Sequence, residues 1–126
     1  MRHQRASRRL ANLLEAAAET VGAPVEVLEA INVTLPSGLV VPDIVVADQG
    51  ATVEDRVSID ADAVQLVVEL VSPGNKTMDR KFKPMLYAEA AVPNYWRLEF
   101  DPAPRLFCGE LDGGRYVEQA TALPGP

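Results

Sequence analysis

Two carboxylates in this chain stand inside apolar, β-branched runs. Glu69 lies within Val67-Val68-Glu69-Leu70-Val71, and Asp43 within Leu39-Val40-Val41-Pro42-Asp43-Ile44-Val45-Val46. Burying a carboxylate is costly unless something pairs with it. Two acids carried by two core strands can converge on one point, and a divalent cation that prefers oxygen ligands is a natural reason for them to do so. The plainer reading of Asp43 is a strand-end carboxylate capping a turn after proline. Glu69 resists that explanation, because apolar residues flank it on both sides. Further along, Asp79 and Lys83 are four residues apart, as on one helical face, where they could equally form a surface ion pair. Tyr87 continues that stripe. Gln65, four residues before Glu69 on the same strand face, could hydrogen-bond in the same cleft. Ser72 reads as a cap for the segment that follows it. His3 is the only histidine, so a serine hydrolase has no evident base.

The elements that would position these groups follow from periodicity. Leu10, Leu13, Leu14, Ala17 and Val21 recur at helical spacing, which predicts an amphipathic helix over residues 4–20, ended by Gly22-Ala23-Pro24. Alternation over Val25, Val27, Ile31, Val33 and Leu35 predicts one strand. Glu29 interrupts that face and reads as a polar residue on an exposed sheet edge, with an acid leaning toward the cleft as the alternative. Pro36-Ser37-Gly38 then turns into a second strand, Leu39 to Val46. Residues 48–62 are polar and acidic and read as a loop with room for one short turn of helix. Residues 63–71 are almost continuously apolar, the pattern of a central strand covered on both faces. A second helix is expected over residues 76–90, where Pro84 requires either a later start or a kink. Residues 95–100 form a further strand, with Tyr95 and Trp96 as packing residues. Residues 106–111 and 116–120 flank the hairpin turn Asp112-Gly113-Gly114. The order αβββαβββ describes an α/β domain built on a mixed sheet, with a flexible tail over residues 122–126.

Composition narrows the function classes. The chain has 126 residues, a net charge of −6 and 48% hydrophobic residues, which suits a single domain over residues 1–126. No apolar run approaches the roughly 20 residues of a membrane span. A lone cysteine, Cys108, excludes an internal disulfide and reads as a small buried hydrophobe, so a soluble cytoplasmic protein is expected. An acidic chain does not grip nucleic acid by bulk attraction. The charge is uneven, however. Arg2, Arg5, Arg8 and Arg9 fall within the first ten positions, which hold no acid. They could touch phosphates or simply solvate a helix start.

The segments Pro42-Asp43, Glu69-x-x-Ser72-Pro73, Asp79-x-x-x-Lys83-x-x-x-Tyr87 and Val92-Pro93-Asn94-Tyr95-Trp96 resemble, in order and spacing, the Uma-type restriction endonucleases of the PD-(D/E)xK nuclease superfamily. The likeness runs from about His3, a position where the family tends to carry histidine, to Asp101. It implies a restriction-endonuclease-like mixed β-sheet flanked by helices, and a Mg²⁺-dependent endonuclease, with Mn²⁺ as a substitute, that hydrolyses DNA. By that resemblance Asp43 and Glu69 are metal ligands, with the carbonyl of Leu70 or Val71 a third. The superfamily's plain pattern puts its lysine two residues after the glutamate, which is Val71 here. The resemblance points instead to Lys83, moved onto the helix, with Lys76 and Lys81 as competing choices. Asp79, Gln65 and Tyr87 would stand around the site. The family's usual chain carries an earlier helix and strands, including a further acid, ahead of the point where this sequence starts. A core without them is expected to expose a sheet edge and to favour a homodimer. The alternative reading is a non-catalytic nucleic-acid-binding or dimerising remnant of a nuclease.

Overall fold

A computed structural model describes residues 2–51, 58–71, 81–100 and 103–119, with side chains from residue 4 onward. Ser72, Lys76 and Asp79, the side chain of His3 and the tail lie outside the described residues.

Helix α1 spans Arg2–Val21. Gly22 closes it at φ 66°, a left-handed conformation that glycine adopts without a Cβ penalty, and Ala23 N–H donates to the Ala18 carbonyl at 2.9 Å. The strand expected over residues 25–35 is instead two: β1, Val25–Glu29, and β2, Asn32–Leu35, which belong to different sheets. Ala30 causes the break. It sits at φ 52° and donates its N–H to the Asp43 carbonyl at 3.1 Å. The strand expected over residues 39–46 also divides, into β3, Gly38–Val40, and β4, Ile44–Asp48. Pro42, which has no N–H for a ladder, lies in the gap. β2 and β3 pair as the expected hairpin around Pro36-Ser37. Part of the expected acidic loop is ordered as β5, Ser58–Asp60, and a 3₁₀ turn at Ala61–Ala63.

β6, Val64–Val71, is the central strand. It pairs antiparallel with β4 on one side and parallel with β7, Asn94–Glu99, on the other. β8, Arg105–Asp112, and β9, Arg115–Glu118, complete a six-stranded sheet in the order β1-β4-β6-β7-β8-β9. A second sheet has the order β3-β2-β5. Leu66, Val68 and Leu70 face α1, packing with Ile44 and with Ala11, Leu10 and Leu14 of the helix. Val67 lies on the opposite face with Val45, Ala47, Val33, Leu35, Tyr87 and Tyr95. The alternation along β6 therefore fills two cores, as its continuous apolar run requires. Among the described residues no helix is long and apolar enough to cross a membrane.

Between β6 and β7 lies helix α2, Lys83–Glu89. Pro84 occupies its first turn, and Lys81 and Phe82 just before it form a wider π-type turn, a local adjustment that accommodates the missing donor. Residues 76–80 of the expected helix lie outside the described residues. The helix ends on Ala91 at φ 59°, with Ala91 N–H donating to the Ala88 carbonyl at 3.0 Å and Val92 N–H to the Tyr87 carbonyl at 3.1 Å. That bonding pattern normally carries glycine. Ala91→Gly is therefore expected to raise stability by about 1 kcal/mol, read as a higher urea midpoint with an unchanged m-value.

Candidate active site

Register puts the two acids side by side. Ile44 pairs with Val68, so Asp43, one residue earlier on the antiparallel partner, stands level with Glu69 and on the same sheet face. Asp43 Oδ2 accepts a hydrogen bond from Leu70 N–H at 2.7 Å, which ties the acid to the end of β6. Glu69 is 2% exposed. Its Oε1 lies 3.4 Å from Lys83 Nζ, and its Oε2 accepts a hydrogen bond from the Tyr87 hydroxyl.

Lys83 and Tyr87 are one turn apart on α2, so a single helix face presents both to the carboxylate. Tyr87 is fully buried. Burial first, then the Glu69 carboxylate, with Tyr95 and Asp43 contributing, pushes its pKa far above that of an ordinary tyrosine. The hydroxyl accordingly stays protonated and acts as a donor. Among the described residues, Lys83 and Tyr87 thus give the buried acid a cation and a neutral donor, as burial of a charge demands.

Asp43 also lines an open cleft of ≈ 430 Å³ with Gln4, Ser7, Arg8, Glu29 and Ala30. Ser7 Oγ donates to Glu29 Oε1 at 2.9 Å, joining α1 to the exposed end of β1. Arg5, Arg8 and Arg9 are exposed on the same helical end and line an adjoining depression.

Of the expected residues, Asp43, Glu69, Lys83 and Tyr87 come together. Gln65 does not join them. A bulge at Val46/Ala47 interrupts the β4–β6 register there, and Gln65 Nε2 donates to Asp48 Oδ1 at 2.8 Å. Four residues of strand, about 13 Å, separate it from Glu69. Lys81 is exposed and lines a different pocket, beyond α2.

Two charged residues escaped the sequence reading. Arg97 is the register partner of Glu69 on β7, and its Nε donates to Glu99 Oε2 at 2.9 Å. Glu99 is itself 6% exposed. Their signal was available: two charges at alternate positions of a strand share a face, and that face continues from buried Tyr95.

The donor set can be tested against a hard cation. Asp43 and Glu69 offer carboxylate oxygens on adjacent strands, and an ionised carboxylate is an acceptor with about four lone-pair sites. Mg²⁺ is commonly held by one or two carboxylates, with water and phosphate oxygens completing its shell. The residues fit such an ion in kind. Among the described residues no cluster of three or more acidic, histidine or cysteine side chains is available to hold a metal.

A mixed sheet with α-helices on it and paired acids at one end of its central strands defines a protein of the nuclease-like α/β class. The chain matches the Uma2 family, described as "Putative restriction endonuclease", over residues 1–126, and it belongs to that family. Among solved structures it is similar to one described as "a putative nuclease belonging to DUF820" from Anabaena variabilis. The TM-score is 0.71 at 15% sequence identity, covering 100% of this chain and 73% of that one, a likeness of fold. No curated protein sequence matches the chain.

The buried network carries its own test. Tyr87→Phe removes a donor from Glu69 and is expected to cost about 1–3 kcal/mol in urea unfolding. Lys83→Met is expected to cost more, because it removes a cation from a buried charge.

Proposed function

We propose that the chain is a Mg²⁺-dependent endonuclease that hydrolyses DNA phosphodiester bonds. The observation that carries this reading is the meeting of Asp43 and Glu69, level on adjacent strands, with Lys83 delivered to Glu69 from α2. Family membership supports the reaction class.

In this reading Asp43 and Glu69 hold the ion, which when bound polarises the phosphoryl group and acidifies a water. Asp43, open to the cleft, offers the accessible oxygen. Leu70 N–H fixes the orientation of its carboxylate, so that little reorganisation is needed on binding. Tyr87 holds Glu69 through a bond that does not titrate in the working range. Lys83, partly exposed, supplies positive charge toward the phosphate as negative charge builds there. The arginines at the start of α1 lie beside the cleft, where they suit the flanking phosphates of a DNA strand.

A second reading has an observation of its own. Glu69 is almost wholly buried and already held by Lys83 and Tyr87, as in a network that only fastens α2 to the sheet. A chain of that kind would bind nucleic acid without cutting it.

Calorimetric titration with Mg²⁺ and nicking of supercoiled plasmid separate the two. Wild type is expected to bind the ion and nick. Asp43→Asn and Glu69→Gln are expected to lose binding and to nick at least about 100-fold more slowly. Metal binding untouched by either substitution sinks the proposed site.

A further inference from the structure

On the far side of α2 from Lys83 and Tyr87, a pocket of ≈ 250 Å³ opens between the helix and the β8–β9 hairpin. Three cations, Lys81, Arg97 and Arg115, line it together with Tyr95, Phe107 and Tyr116. Gathering like charges is unfavourable in itself, and in a chain of net charge −6 it cannot be put down to an excess of basic residues. Arg97 is offset by Glu99. Among the described residues, Lys81 and Arg115 have no acidic side chain within ion-pair distance.

The pocket wall is preorganised. The Arg97 guanidinium lies over the Phe107 ring, 4.4 Å from its centroid, while its Nε is held by Glu99 at 2.9 Å. The Tyr116 hydroxyl donates to the Val92 carbonyl at 2.7 Å, and its ring lies 5.5 Å from that of Tyr95. Gly109 allows this arrangement. A Cβ there would stand 2.8 Å from Phe107 Cε2 and 2.9 Å from Tyr116 Cβ, so any side chain would force the two rings away.

Cations on the rim and a fixed stack of guanidinium and aromatic planes match a ligand that is both anionic and flat. We propose that this pocket is a nucleotide subsite. The base of one substrate nucleotide stacks against the Arg97–Phe107 pair, and Lys81 and Arg115 take its phosphate. Bases commonly stack on arginine planes and aromatic rings in this way. The inference rests on the nuclease reading and deepens it. Arg97 is the register partner of Glu69, about 4.8 Å away across the ladder, so a nucleotide held here adjoins the bond to be cut. A base inside a duplex is stacked and paired, and it must leave that stack to enter. The subsite therefore selects single-stranded or locally unpaired DNA.

Anisotropy of a fluorescent hexadeoxythymidylate, measured in EDTA, tests the pocket apart from metal and cleavage. The single strand is expected to bind at least about tenfold more tightly than a duplex of equal length. Lys81→Ala with Arg115→Ala is expected to weaken it about tenfold or more and to lower the salt slope by about 0.7, one phosphate contact. Arg105→Ala removes an exposed cation outside the pocket and is expected to change little. Equal binding of duplex and single strand overturns the proposal, as does an equal loss in Arg105→Ala. A double variant that binds like wild type overturns it too. Plasmid nicking, scored separately, reports on the nuclease reading alone: binding without nicking leaves the subsite standing and removes the enzyme.

Discussion

The constraint on which the site depends is the buried carboxylate of Glu69. It occupies the end of the central strand, where both sheet faces are covered and water cannot solvate it. Its charge has to be met, and α2 brings two groups to it, one turn apart. That requirement sets the rotation of α2 about its axis, because only one face carries both Lys83 and Tyr87. Pro84 stands in the first α-helical turn beside Lys83, and that turn is close enough for Lys83 to reach back to β6. At the other end Tyr87 bonds again, through its carbonyl to Val92 N–H, which turns the chain toward β7. One residue thus satisfies the acid through its side chain and shapes the helix end through its backbone.

From that acid the charges spread across the sheet in an ordered row. Asp43, Glu69 and Arg97 stand level on three neighbouring strands, and Glu99 follows Arg97 on the same face. Each acid is near a donor or a cation, as low local dielectric requires. α2 covers the Glu69 end of this row, and the pocket with Lys81 and Arg115 opens between α2 and the β8–β9 hairpin. The arginine-lined cleft belongs to α1, which packs on the opposite sheet face, and only Asp43 at the strand end is shared with it.

Much of this was legible in the sequence, and the exceptions have physical causes. Glu69 and Asp43 stood out because charge inside apolar runs demands a partner, and the run around Glu69 also marked the central strand. The hairpins at Pro36-Ser37 and Gly113-Gly114 were plain from turn chemistry. The break at Ala30 was not, because alanine carries no signal for a left-handed backbone. A tertiary bond to the Asp43 carbonyl accompanies that conformation, and such a bond is invisible before the chains meet. Gln65 shows the limit of a two-residue period: one bulge moved it out of the face that counting assigned. Arg97 and Glu99 were hidden differently. Their spacing declared a shared face, but only the parallel register with β6 shows that the face is the one bearing Glu69.

The two acids are not equivalent, and the difference bears on how the site would work. Asp43 opens to the cleft, whereas Glu69 is sealed behind α2. Carboxylates on adjacent strands repel each other in a poorly solvated setting. The Lys83 ammonium relieves that repulsion, and because the side chain is 28% exposed it can withdraw toward solvent at modest cost. Tyr87 cannot withdraw, since its ring is fully buried and its hydroxyl has Glu69 as acceptor. If Asp43 and Glu69 held a divalent ion, as proposed, Tyr87 would keep Glu69 oriented and Lys83 would be the neighbouring cation. A lysine on the helix can reach both the buried acid and solvent because its side chain is long. One at Val71 would be confined to the interior, since that residue is only 3% exposed. A cation carried by the helix thus meets the buried acid while keeping contact with solvent.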